Sequence, residues 1–210
     1  MAGVFITLEG VEGSGKTTQC ATLARKLEAD GRDVIVTHEP GATVAGKAIR
    51  SIFLDPAVRL ETEAELMLVL ADRVQHVREK LRPAIAAGTV VISDRYCDST
   101  TAYQGYGRGF DLKLLAELNR LATGGLMPDL TIVLDCPPAA GLKRARHRPT
   151  ATASPDRFEG QELDFHDRVR NGFLAIARED PGRVKVVDSD RPLETVAWEI
   201  ADRVEEYYRR

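Results

Sequence analysis

Residues 10–17 read Gly-Val-Glu-Gly-Ser-Gly-Lys-Thr, an instance of G-x-x-x-x-G-K-[ST] set directly after the apolar run "VFITL" and before the helical run "TTQCATLARKLEA". Few patterns restrict a chain so tightly, because the loop functions only where a buried strand turns sharply into a helix. Its glycines let successive N–H groups converge on phosphate oxygens, and the helix N-terminus adds partial positive charge. Gly10, Val11, Glu12, Gly13, Ser14, Gly15, Lys16, Thr17 and Thr18 are therefore the expected seat of a nucleoside triphosphate. Lys16 would reach the outer phosphates and the Thr17 hydroxyl would hold Mg²⁺. As a loop lysine, Lys16 is expected to be exposed and to support no core.

Further short apolar runs, "DVIVT", "TVVIS", "LTIVLD" and "VKVV", alternate with longer helical segments to the end of the chain. Crossover units of a buried parallel sheet have this rhythm, so an α/β fold with a doubly wound parallel sheet is expected, with ligands at the carboxyl ends of the strands. The stretch "ETEAELMLVLADRVQHVREKLRPAIAAG" places Leu66, Leu70, Val74, Val77, Leu81 and Ile85 at steps of three and four, a core-facing stripe that Gly88 would stop. With 210 residues, 43% of them hydrophobic, one domain is expected over residues 1–210. The segment "RHRPTATASPDR", residues 146–157, lacks periodicity and reads as a mobile loop inside that domain.

Lys+Arg 29 against Asp+Glu 32 leaves a net charge of −3, which supplies no general attraction to nucleic acid or membrane. Anions must be caught by local arginines. Cys20, Cys97 and Cys136 lack disulfide or metal-ligand patterning, and no apolar stretch approaches a membrane span, so a cytoplasmic protein is expected. A guanine-reading N-K-x-D motif is absent: Asn119 and Asn171, the only asparagines, sit in "NRLA" and "NGFL". Arg73, Arg95, Arg144, Arg146, Arg148 and Arg157 instead suit a phosphoryl-transfer enzyme, whose work is positioning and charge neutralisation. A phosphate acceptor needs clamping more than it needs a general base, whereas a nucleoside hydroxyl would want a carboxylate.

The segments "FITLEGVEGSGKTTQ", "THEPGATVAGKAIRSIFLD", "LADRVQHVREKLRPAIAAGTVVISDRYCDSTTAYQGYGRG", "PDLTIVLD", "GLKRARHR" and "DRFEGQELDFHDRVRNGFL" resemble, in order and over nearly the whole chain, the bacterial thymidylate kinase family. The resemblance implies a homodimeric P-loop kinase that moves the γ-phosphoryl of ATP to dTMP with Mg²⁺. A kinase for another deoxynucleotide or a deoxynucleoside, and a regulator that binds nucleotide without turnover, are the alternatives.

The same resemblance implies roles at matching positions. Glu12 would lie near the deoxyribose or the acceptor side, and Glu39 and Pro40 would border both phosphates. Arg50 would bind the acceptor, a surface helix arginine being the alternative. Asp94 would organise Mg²⁺ through water, and Arg95 would grip the dTMP phosphate. Arg73 would read thymine O4, with Ser99, Thr100 and Gln104 as polar contacts to the base, while Tyr103 would crowd the sugar 2′ position. The segment at about 146–160 resembles the family's lid, from which Arg148 and Arg157 would close over the transferring phosphoryl, and Arg144 would pack against adenine. Three positions depart from the family pattern: His38 stands where arginine is common, Ala42 where glycine is common, and Val69 where phenylalanine stacks on thymine. Val69 lies four residues before Arg73, on the same helical face, and a weakened thymine stack is expected there unless Phe53 or Leu68 fills the space.

Overall fold

The computed structural model describes residues 3–147 and 157–209. Five strands, β1 (Phe5–Glu9), β2 (Val34–His38), β3 (Val90–Asp94), β4 (Leu130–Asp135) and β5 (Val184–Asp188), form one parallel sheet in the order β2-β3-β1-β4-β5. Each falls within one residue of an apolar run visible in the sequence. β1 is central because it is buried along its whole length, and its register sets Leu8 beside Asp94 and Glu9 beside Val133. With His38 beside Asp94, β1, β2 and β3 therefore finish within one residue of one another, which is where the phosphate loop begins.

The alternation along β1 explains the two helical layers. Ile6 and Leu8 face α1 (Lys16–Ala29) and α9 (Leu193–Tyr208), packing with Leu23, Leu27, Val196 and Ile200. Phe5 packs on the opposite face with Val91, Val77 and Leu81. That face is completed by α3 (Thr62–His76), α6 (Leu112–Thr123) and α8 (Leu163–Glu179), whose Leu66, Leu115 and Phe173 share one cluster. Truncating a fully buried leucine such as Leu81 to alanine should cost about 2–5 kcal/mol.

The stripe expected from Leu66 to Ile85 is present, but it does not run on a uniform helix. α3 passes through a π-helical turn, Val77–Leu81, into α4 (Arg82–Ala86), and the junction residues keep helical backbone angles. Gly88 follows at φ +87°. Remaining elements are α2 (Val44–Leu54), capped by the Thr43 hydroxyl on the Gly46 amide, the short α5 (Cys97–Thr100), which continues as a π-helical turn over Thr101–Gly107, and α7 (Pro138–Arg146).

Candidate active site

A cleft of about 1010 Å³ opens over the carboxyl end of the sheet, lined by the phosphate loop, β2–α2, the cleft-facing side of α3, the residues after β3 and the β5–α9 turn. The loop's glycines serve different ends. A Cβ on Gly10 would meet the Leu134 carbonyl oxygen at 2.5 Å, and one on Gly13 would meet that of Gly141 at 1.9 Å. Those two are demanded by packing. Gly15, at φ +94°, has nothing within 4 Å of a Cβ and borders the cleft, so its freedom serves a ligand. It caps α1, whose first-turn amides receive no side-chain cap.

Lys16 departs from expectation. It is 7% exposed, and its Nζ donates to the carbonyls of Gly10 (3.1 Å) and Val11 (2.8 Å) and to Ser14 Oγ (3.3 Å). The loop wraps the ammonium group because its carbonyls replace lost water. Burial, helped by the Arg95 charge, lowers its pKa to about 8. Thr17 Oγ1 donates to Asp94 Oδ2 at 2.5 Å at the cleft mouth. Such a hydroxyl and carboxylate pair is the hard-oxygen donor set that Mg²⁺ takes together with substrate phosphates. Among the described residues no group of three or more His, Cys, Asp or Glu could hold a metal unaided.

Arg95 occupies the boundary between the phosphate loop and the segment after β3. It is the only non-glycine residue at positive φ (+76°) among the described residues, a conformation costing about 1–3 kcal/mol. Its Nη1 donates to Gly10 O and Ser99 Oγ, each at 3.0 Å, while Nη2 donates to Glu12 Oε1 (3.2 Å) and Tyr103 Oη (3.1 Å). Tyr103 in turn donates to Glu12 Oε1 at 2.5 Å. Burial alone would raise the Glu12 carboxyl, but His166 close beside it and the Arg95 and Lys16 charges outweigh burial and keep it below the ordinary range.

Several side chains expected to face the base are committed to the protein. Arg73 is fully buried: Nε donates to Glu39 Oε2, Nη1 to Thr100 Oγ1 and Asn119 Oδ1, and Nη2 to the Tyr96 carbonyl. Of five N–H groups, these bonds leave one on Nη2. Ser99 donates to Glu9 Oε2 at 2.5 Å, and Gln104 Nε2 donates to Glu65 Oε1 at 2.8 Å. Arg73, Ser99, Thr100 and Gln104 still line the cleft. The reason is electrostatic: Glu39 and Glu9 are carboxyl groups with almost no water contact, so neighbouring donors turn to their oxygens. Arg73 and His76 outweigh the effect of burial and keep the Glu39 carboxyl below the ordinary range. Glu9 is raised to about 8, chiefly by burial and then by Asp98.

Val69 is 7% exposed and lines the cleft, but so do Phe53 and Phe158, whose ring centroids stand 5.3 Å apart. Phe158 also meets Tyr103 edge-on at 5.5 Å. Aromatic surface absent at position 69 is thus supplied by neighbours. Arg157 is not brought to the cleft: Nη1 pairs with Glu65 Oε2 at 3.0 Å and Nε donates to the Phe53 carbonyl. Glu65 also takes Arg108, and its burial attracts both guanidinium groups. Arg148 lies outside the described residues. Arg144 lines the cleft beside Ser189 and Asp190, bonding both. Arg50 donates to the Pro40 carbonyl at 2.7 Å and lines the cleft with Glu39, Pro40 and His38. Ala42 is buried and does not line the cleft.

Sequence reasoning missed Phe158, which lines the cleft, and among the buried polar groups that support the site it missed Glu9, Glu65, His76 and His166. Of these polar groups, Glu9 is the strand residue and carried a signal, since an acid ending an otherwise apolar strand demands a partner. The other three sit on helices where a polar residue ordinarily reads as solvated.

Comparison with known proteins agrees with this fold. The family model described as thymidylate kinase matches residues 8–200. A thymidylate kinase of Carboxydothermus hydrogenoformans is 52% identical over 200 residues, covering 95% of this chain and 96% of that protein. One of Deinococcus radiodurans is 50% identical over 204 residues, 97% of each. Among solved structures, a thymidylate kinase from Ehrlichia chaffeensis superposes with TM-score 0.80 at 32% identity, over 98% of this chain and 99% of that one.

Proposed function

The chain belongs to the thymidylate kinase family, and from that premise we propose how its own residues carry the ATP-dependent phosphorylation of dTMP to dTDP. The observation that carries the reading is Arg95, whose strained backbone sets one guanidinium across the phosphate loop and the Ser99–Tyr103 segment. A donor phosphate on the loop and an acceptor phosphate on Arg95 would then share one cleft. Transfer between two phosphates needs alignment and charge neutralisation rather than a base.

ATP binds with its phosphates over residues 10–18, and Lys16 exchanges the carbonyls of its own loop for the outer phosphate oxygens. Arg144, at the β5–α9 end, borders the adenine. Thr17 and Asp94 would hold Mg²⁺, which when bound neutralises and orients phosphate oxygens. On the acceptor side, Arg95 with Arg50 clamps the dTMP phosphate beside Glu39 and Pro40. Glu12 and Tyr103 frame the sugar. The base lies against Val69, Phe53 and Phe158, where the remaining N–H of Arg73 meets the O4 acceptor of thymine and Thr100 and Gln104 border its edge. Arg73 thus reads the base as a fixture of the wall. Arg157 is an anchor on Glu65, and Arg148 is left as the lid arginine.

Residues 1–210 act as one kinase domain. We assign it to a homodimer in the cytoplasm: Met67 on α3 and Leu114 and Leu121 on the neighbouring α6 are exposed apolar side chains suited to a second copy, and the three cysteines are free and buried. Among the described residues no helix is long and apolar enough to cross a membrane. A coupled ADP-release screen with dTMP, dUMP, dCMP and thymidine tests the function. Fastest turnover with dTMP is expected, whereas ATP binding without ADP release for every acceptor would overturn it.

A further inference from the structure

His166 lies on α8 and is fully buried, and above it enters only as a neighbour that lowers the Glu12 carboxyl. Its Nδ1 stands 3.2 Å from Glu12 Oε2, yet neither atom is aligned for a hydrogen bond, and Nε2 lacks a partner as well. Of the seven buried side-chain polar atoms without a partner among the described residues, three belong to this one residue pair, and two of them, Nδ1 and Oε2, face each other. Unpartnered buried polar atoms are costly and rare, so a cluster of them marks a contact held ready rather than a finished one. The other Glu12 oxygen is already taken by Tyr103 and Arg95.

α8 grips both ends of this arrangement. Phe165 and Phe173 each stand edge-on to the Tyr103 ring at 6.2 Å. The close fit extends to Gly107, where a Cβ would lie 2.7 Å from the Phe165 ring, and to Gly172, where one would lie 2.8 Å from Tyr106. With the tyrosine ring seated on α8 and its hydroxyl on Glu12, the carboxylate needs only a donor from α8 to be immobile. His166 Nδ1 is the nitrogen within reach.

We propose that His166 is a positioning residue for the acceptor: its Nδ1–H closes onto Glu12 Oε2 when dTMP fills the cleft, fixing Glu12 and through it Tyr103 and Arg95. Hydrogen bonds among catalytic groups commonly tighten when the substrate complex forms. The inference rests on the acceptor side lying at Glu12, Arg95 and Tyr103. His166→Phe keeps a ring and removes the donor, whereas His166→Asn retains an N–H near the Nδ1 position. Steady-state kinetics of the full chain should show the KM for dTMP raised about tenfold in His166→Phe, as expected for one lost hydrogen bond to a charged group. The kcat and the KM for ATP should change little, and His166→Asn should restore most of the loss. Equal losses in both variants, or a wild-type KM in His166→Phe, would overturn the proposal.

Should neither variant fold, long-range ¹H–¹⁵N spectra of the wild-type imidazole with dTMP decide instead. Protonated Nδ1 supports the contact, and a ring protonated only at Nε2 refutes it. Failure of the wild-type chain to phosphorylate dTMP would count against the functional reading; normal wild-type turnover beside an indifferent His166→Phe would count against this inference alone.

Discussion

Gly13 is not one of the glycines that G-x-x-x-x-G-K-[ST] requires, yet it has the least room. A Cβ there would lie 1.9 Å from the Gly141 carbonyl oxygen and 2.6 Å from its carbon, with φ at +67°. Both atoms belong to the backbone of α7 and cannot rotate aside. Gly13→Ala must therefore separate the phosphate loop from α7 by about 1 Å, judged from ordinary non-bonded contact distances. Left-handed backbone in an alanine costs about 1–2 kcal/mol, and forced separation in a packed interior adds about 1–3 kcal/mol. Since each kcal/mol shifts the melting temperature of a chain this size by about 2–4 °C, a fall of about 10 °C is expected. Gly15→Ala is the control: it bears similar backbone strain at φ +94° but meets no atom within 4 Å, so only about 4 °C should be lost. ATP affinity should show the reverse emphasis, because a methyl at position 15 stands where the ligand approaches. Calorimetric melting without ligand, paired with ATP titration, makes the comparison. If Gly13→Ala melts at or above Gly15→Ala, the assignment of Gly13 to packing is wrong. Gly141→Ala provides a second check, its Cβ lying 2.3 Å from the Glu12 carbonyl oxygen.

Arg95→Lys should lower kcat/KM for dTMP roughly a hundredfold despite keeping the charge, because one ammonium cannot reproduce the fork that spans Gly10, Glu12, Ser99 and Tyr103; wild-type kinetics would refute the clamp. Glu9 holds its proton in the folded state up to about 8, against 4.5 for the ordinary carboxyl. Its contribution to stability is therefore full below pH 4.5 and is lost as pH rises through about 8. Glu9→Gln should flatten that slope in urea midpoints measured across the range, and an unchanged slope would remove Glu9 as its source. Val69→Phe should overpack the wall shared with Phe53 and Phe158, costing about 1–3 kcal/mol of stability and leaving dTMP binding no tighter; tighter binding in a mutant with unchanged melting temperature would show that an aromatic vacancy remained.

The fold was legible because its signals are local. Five apolar runs, a glycine loop between strand and helix, and apolar steps of three and four each sit within a few consecutive residues, and short-range sterics and burial decide them. The membership of the cleft was largely legible too: Lys16, Thr17, Asp94, Arg95, Arg73 and Tyr103 all line it. What those side chains hold was not. Arg73 spends four donors on Glu39, Thr100, Asn119 and Tyr96, Arg157 turns to Glu65, and Lys16 is enclosed by its own loop. Such choices depend on which carboxylates and carbonyls lose water nearby, over separations of up to 92 residues between Glu65 and Arg157. Burial is a property of the packed whole, and it turns an arginine that reads as a free ligand-binding group into part of the wall, and a helix histidine such as His166 into a neighbour of the phosphate loop.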